Sequence, residues 1–93
     1  MAKVKSLPAF LDRLERALVE GLKAGGISAK VYAEPVPTTK LHRLMVLAPK
    51  FAALRRSERQ DLVWRIVDQF IGPDDQLKIS MILTLTPDEA KGK

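Results

Sequence analysis

The stretch that decides the fold is LKISMILTLT, residues 77–86. Every second residue in it is apolar, and this period of two is typical of a half-buried strand. The alternation predicts that Met81 faces the core with the other odd-numbered residues. It predicts that Ile82 lies on the opposite face.

Two further strands are predicted upstream. Small and apolar residues alternate with polar ones from Ile27 to Ala33, until Pro35 and Pro37 end the pattern. The segment 41–47 is mostly apolar and is bounded by turn residues, so it predicts a second strand. We expect these two strands to form a hairpin.

Helices are predicted on both sides of this hairpin. An amphipathic pattern between an N-cap at Ser6 and a stop at Gly25-Gly26 predicts the first helix. Ser57, three residues before a glutamine, predicts the start of a second helix, which Gly72-Pro73 ends. Its wide apolar arc predicts contact with both the sheet and the first helix. Residues 86–89 predict the cap and first turn of a short final helix.

The order helix, strand, strand, helix, strand predicts an α+β, two-layer sandwich with two helices on one face of a three-stranded sheet. The 93 residues are expected to form a single domain, with a core of about residues 6–88. The other sheet face is expected to be open. The residues expected on it are Lys30, Tyr32, Lys78, Ser80, Ile82, Thr84 and, depending on the register of the second strand, Arg43 and Met45.

Composition excludes several classes of site. The chain has no cysteine and one histidine, so it offers no disulfide, no cysteine metal site and no histidine cluster. No metal or cofactor is predicted; His42 is the sole metal candidate, and a structural role is favoured for it. No apolar run has the length of a signal peptide or a membrane span, which predicts a cytoplasmic protein without a membrane partner.

Catalysis finds no support in the sequence. His42 has no acid near it in sequence, so a nucleophilic triad lacks its parts. The acidic pairs Asp74-Asp75 and Asp88-Glu89 adjoin turn signals, where carboxylates cap helices and stay solvated. We therefore predict that the protein is not an enzyme.

Positive charge is concentrated in one stretch. Residues 40–65 carry seven cations and two acids, an excess equal to the net charge of +5 of the whole chain. Such clustering favours a directed basic surface, although an ordinary solvated charge run remains an equal alternative. Arg55 and Arg56 flank the positive end of the second helix. Arg59 falls in the middle of the apolar arc, and we expect its guanidinium to emerge beside them.

Several short motifs together resemble the BolA family. They are Ala48-Pro49-Lys50-Phe51, Arg59, Leu62-Val63, and the segment 77–87 with its Thr84-Leu85-Thr86-Pro87 ending. The resemblance covers residues 27–89. It implies a class II KH-like fold and association with monothiol glutaredoxin, iron-sulfur cluster handling and, in some members, DNA binding and transcriptional control.

The chain also departs from the BolA pattern. Lys78 stands where the family usually has a histidine, and the loop 34–40 contains neither histidine nor cysteine. Ala53 replaces a glycine, and of the family's Arg-His-Arg only Arg59 is kept. Because an ammonium group is a poor iron ligand, the resemblance implies that the cluster-bridging role is lost. The Gly-x-x-Gly loop of KH domains is absent as well, which argues against RNA.

These observations predict a non-enzymatic, BolA-like binding module that contacts an acidic partner, nucleic acid ahead of protein. One alternative is a glutaredoxin-associated iron-sulfur adaptor with a degraded ligand site. The other is a structural assembly subunit that uses the open sheet face. The predicted binding residues are Lys50, Arg55, Arg56, Arg59, Arg43 and Lys78.

Overall fold

The computed structural model describes residues 9–91, which form a two-layer α+β domain. The predicted order of helix, strand, strand, helix, strand is confirmed, and a 3-10 helix and a four-residue helix are added to it. The elements are α1 (Ala9–Ala24), β1 (Lys30–Pro35), β2 (His42–Leu47), the 3-10 helix (Pro49–Ala53), α2 (Arg56–Phe70), α3 (Pro73–Gln76), β3 (Ile79–Leu85) and α4 (Pro87–Lys91).

The sheet has the order β1-β2-β3, with β2 in the centre. β1 and β2 are antiparallel, so the predicted hairpin is confirmed. β2 and β3 are parallel, and because parallel neighbours need a long connection, the chain crosses over through α2. The registers align Lys30, Leu47 and Leu85 at one end of the sheet, called here the Leu47 end. The start of β2 and the start of β3 lie at the other, the His42 end.

Helices α1 and α2 cover one face of this sheet and enclose the core. Gly21 of α1 faces α2 so closely that a Cβ there would lie 3.0 Å from the Ile66 side chain. The close approach brings α2 against α1 as well as the sheet, as its wide apolar arc predicts. The largest fully buried side chains are Leu14, Leu18, Leu22, Leu44, Val46, Phe51, Val63 and Val67.

A β-bulge at the start of β3 overturns the predicted orientation of that strand. His42 pairs with Ile79, but the next residue of β2 pairs with Met81, so Ser80 is an extra residue without a partner in the register. The bulge reverses the alternation after Ile79, since one residue of slip exchanges the two faces. Ile82 is 4% exposed and Met81 is 42% exposed. The predictions that Met81 faces the core and that Ile82 and Thr84 lie on the open face are therefore wrong.

The ends of the helices agree with the sequence in part. α1 ends just before Gly25-Gly26 as predicted, and Gly26 has a φ of +86°, which glycine adopts without strain. Ser6 lies outside the described residues. Ser57 is not the N-cap of α2, because the helix begins one residue earlier with Arg55 as the N-cap. The predicted final helix is present as α4.

The cap of α4 is reciprocal. The Thr86 hydroxyl accepts a hydrogen bond from the Glu89 N–H at 3.1 Å, and the Glu89 carboxylate accepts one from the Thr86 N–H at 2.9 Å. Two backbone donors at the helix start are thereby satisfied. Glu89 is held in a fixed position above the end of β3.

Candidate functional site: a basic surface at the Leu47 end

Three of the predicted cations lie together at the Leu47 end. β2 finishes there, and the 3-10 helix that follows carries Lys50 directly into the start of α2 with Arg55 and Arg56. All three side chains belong to exposed residues. Lys50 Nζ also donates a hydrogen bond to the Gly26 carbonyl at 2.8 Å, which ties this connection to the turn after α1.

That turn brings two more cations, which the charge count along the chain missed. Lys23 lies in the last turn of α1, and Lys30 opens β1 opposite Leu47. Both fall outside residues 40–65, so a count along the sequence could not group them with Lys50. The available signal was the glycine turn at 25–26, which reverses the chain between them. We call Lys23, Lys50, Arg55 and Arg56 the basic surface; Lys30 adjoins it, but lies on the open sheet face with Leu47.

Two carboxylates near the start of α2 have partners within the fold. Glu58 accepts the Arg55 backbone N–H at 2.8 Å, and this bond closes the first turn of α2. Glu89 binds the guanidinium of Arg59. Glu58 and Glu89 are thus engaged in capping and in structure, and Arg55 and Arg56 are exposed residues.

Arg59 does not belong to the basic surface. The prediction that its guanidinium emerges beside Arg55 and Arg56 is wrong, because the residue is 4% exposed. Its Nε donates to the Phe51 carbonyl at 2.9 Å, and its Nη1 donates to the Thr84 carbonyl at 3.1 Å. The guanidinium carbon also lies 5.8 Å from the centre of the Phe51 ring. Arg59 therefore joins the 3-10 helix, α2 and β3 from inside.

Glu89 completes the surroundings of Arg59 from α4. Its Oε1 lies 2.9 Å from Arg59 Nη1. The hydrogen bond from Arg59 lowers the pKa of the Glu89 carboxyl, and the bond from the Thr86 N–H lowers it further, with smaller effects of the Arg59 and Arg56 charges. Glu89 thus stays ionised to lower pH than an ordinary glutamate, and the buried cation keeps its counter-charge.

Arg43 and Lys78, the remaining predicted binding residues, lie towards the His42 end. Arg43 faces the open sheet surface and forms a 2.8 Å ion pair with Glu34 of β1. Lys78 forms a 3.1 Å ion pair with Asp75 and lies 5.2 Å from the centre of the Phe10 ring. The length of the strands, about 20 Å, separates this end from the Leu47 end. The six predicted residues therefore do not form one surface.

His42 is half-buried beside Lys78. Its backbone N–H donates to the Lys78 carbonyl at 2.8 Å, and its ring stands edge-on to Phe10 with the centroids 6.1 Å apart. Its Nδ1 is buried without a hydrogen-bond partner among residues 9–91. The register thus places the single histidine next to Lys78, and the glutaredoxin and iron-sulfur roles stay predictions.

The surface of residues 9–91 carries several depressions. A groove of about 490 Å³ runs along α1 beside Ala17, Gly21 and the exposed ring of Phe70. A smaller one of about 140 Å³ lies on the sheet between Tyr32, Met45 and Leu83. Neither is lined by His42.

Comparison with known proteins finds no matching family model and no matching curated protein. Within residues 9–91, no group of three or more histidine, cysteine, aspartate or glutamate residues is placed to hold a metal ion. None of the helices in this range combines the length and hydrophobicity needed to cross a membrane.

Proposed function

We propose that this domain is a non-enzymatic, BolA-like binding module that contacts an acidic partner, nucleic acid in the first place, through the basic surface. The observation that supports the proposal is the convergence of Lys50, Arg55 and Arg56 with Lys23 at the Leu47 end. These four cations come from α1, the 3-10 helix and the start of α2.

The chemistry of the surface suits phosphate groups. Arginine guanidinium groups bind phosphate oxygens through two parallel hydrogen bonds, and lysine adds a mobile point charge. Arg55 and Arg56 stand at the start of α2, where the first backbone N–H groups of the helix carry the positive end of the helix dipole. A cluster of exposed cationic groups is sufficient for sequence-independent attraction to a phosphate backbone.

The salt dependence of binding tests the proposal. Affinity for a generic DNA duplex should fall linearly with salt on a log-log plot, with a slope of about −3 to −5 for the few cations engaged. The variant Arg55→Ala/Arg56→Ala should bind more weakly and flatten the slope by about 2, since two phosphate contacts are removed.

Arg43→Ala is the matched control. It also removes an arginine, but from the open sheet face near the other end, where Arg43 is already paired with Glu34. It should leave the slope unchanged. Undetectable binding of the unmodified protein to both DNA and RNA at about 50 mM salt would remove nucleic acid as the partner.

The cytoplasmic location that the sequence predicts is part of the same proposal, because cytoplasmic nucleic acid and acidic proteins are then within reach.

A further inference from the structure

The open face of the sheet is mostly apolar, which its sequence pattern does not predict. Three rows of residues cross it, because partners in the strand registers share a face. The middle row is Tyr32, Met45 and Leu83. The row at the Leu47 end is Lys30, Leu47 and Leu85, and the row at the His42 end is Glu34, Arg43 and Met81.

The bulge at Ser80 creates this apolar face. Without it, the small polar residues of β3 would point outwards and the leucines inwards. With it, Leu83 and Leu85 join Met81 on the outside, and Thr84 lies inside, 5% exposed. Tyr32 and Met81 are 49% and 42% exposed, although both side chains are large and apolar. Contiguous exposed apolar patches mark interaction sites.

From this arrangement we propose that the open sheet face binds a second copy of the same face, so that two sheets stack into a symmetric dimer. The positions of the charged residues indicate that the partner is a second copy of this face. Lys30 and Glu34 lie on β1 at opposite ends of the face, with Tyr32 midway between them. A twofold axis along the middle row would place each Lys30 over Glu34 of the other copy, about 10 Å from sheet to sheet.

The same twofold axis also brings the other residues of the face opposite suitable partners. Tyr32, Met45 and Leu83 each meet their own counterpart, and Leu85 meets Met81. Leu47 meets Arg43, whose apolar stem can cover it while the guanidinium stays with Glu34. A twofold axis along the strands would instead put Lys30 over Leu85 and Glu34 over Met81, burying charge on apolar surface. The face is therefore self-complementary in one orientation.

The free edge of β3 is less suited to a partner than the face. The Ile82 and Thr84 carbonyls accept hydrogen bonds from the side chains of Gln60 and Arg59, at 2.8 and 3.1 Å. A strand added at that edge would have to displace them. A three-stranded face measures only about 15 by 20 Å, so the expected dimer is a weak one of under about 1,200 Å² of total buried surface.

Sedimentation across a concentration series tests the dimer. The unmodified protein should shift from monomer towards dimer as its concentration approaches about 1 mM, as a small interface requires. Leu83→Glu should weaken association about tenfold or more, because it brings like charges together on the axis. Met81→Glu, at a more exposed site, should also weaken it and covers the case in which Leu83→Glu does not fold. Phe70→Glu is the matched control, since it charges an exposed aromatic residue beside the α1 groove, and it should change nothing.

Charge exchange tests the orientation. Lys30→Glu alone and Glu34→Lys alone should each self-associate more weakly, because each places like charges over one another. An equal mixture of the two variants should associate again, since every cross-dimer contact then joins opposite charges.

Two results would overturn the proposal. One is a protein that stays monomeric at about 1 mM, which would assign the face to a different protein. The other is association that survives both Leu83→Glu and Met81→Glu, which would place the contact elsewhere, such as the edge of β1.

Discussion

Replacing Arg59 by leucine should destabilise the domain more than any other single change at an arginine of α2. The variant Arg59→Leu keeps part of the volume but removes every donor from a 4% exposed site. The Phe51 carbonyl keeps the Leu54 N–H at 3.0 Å, but the Thr84 carbonyl loses its guanidinium donor, and a buried group left without a partner costs about 1–3 kcal/mol. Because the exposed Glu89 carboxylate can be solvated by water, the total loss expected is the cost of the Thr84 carbonyl, about 1–3 kcal/mol.

For a domain of this size, that loss corresponds to a fall in melting temperature of roughly 5–20 °C. Urea and thermal melts followed by circular dichroism would measure it. Arg56→Leu, three residues earlier on the same helix, is the control and should change stability by less than about 0.5 kcal/mol, because that residue is exposed. Arg59→Lys should fall between them, since an ammonium cannot match the planar fork of the guanidinium. Equal stability of Arg59→Leu and Arg56→Leu would refute the structural role of Arg59.

Two further predictions concern β3 and α4. Ile82→Asp should prevent folding or cost several kcal/mol, whereas Met81→Asp should cost about 1 kcal/mol or less in thermal melts; the opposite order would mean that the bulge is absent. Because the folded-state pKa of Glu89 lies below its usual value of about 4.5, the ionised carboxylate stabilises the fold above that pH, and this stabilisation is lost as the pH falls through the folded-state pKa. The difference in melting temperature between the unmodified protein and Glu89→Gln should therefore be present near neutral pH and vanish once the pH falls below the folded-state pKa of Glu89, and a constant difference would contradict the pairing with Arg59.

The layer architecture could be predicted from the sequence because it depends on local patterns. Leu14 and Leu18 follow the period of a helix, Gly26 permits the left-handed turn that ends it, and the alternation in β1 predicts correctly which side faces the core. Each of these sequence signals lies within a few residues, along the chain, of the element that it specifies.

The orientation of β3 could not be predicted in this way. Both Met81 and Ile82 are large and apolar, so the alternation alone does not show which face is covered. The choice is made by β2, where His42 and Arg43 pair with residues two apart. A bulge is a property of two strands, and its signal is absent from either strand read alone.

Only part of the candidate site could be predicted, because contacts between residues far apart in the chain decide the rest. The position of Arg59 within an apolar arc was a correct sign of burial, but its counter-charge, Glu89, lies 30 residues further on. Arg43 and Lys50 are near in sequence, yet β2 carries them towards opposite ends of the sheet. Net charge along a chain thus identifies the cations but not which of them share a surface.

The parallel pairing of β2 with β3 has a consequence for how the domain folds. The hairpin of β1 and β2 closes a short loop, whereas β3 must return across the whole of α2 to reach its partner. Non-local pairings of this kind pay a larger loop-closure entropy and are slow to form. During synthesis, the hairpin and α2 leave the ribosome before β3 does, and Arg59 has no access to Thr84 or Glu89 until then. We expect docking of β3 to limit the folding rate, so that the choice of register at Ser80 is made late, against a hairpin already in place.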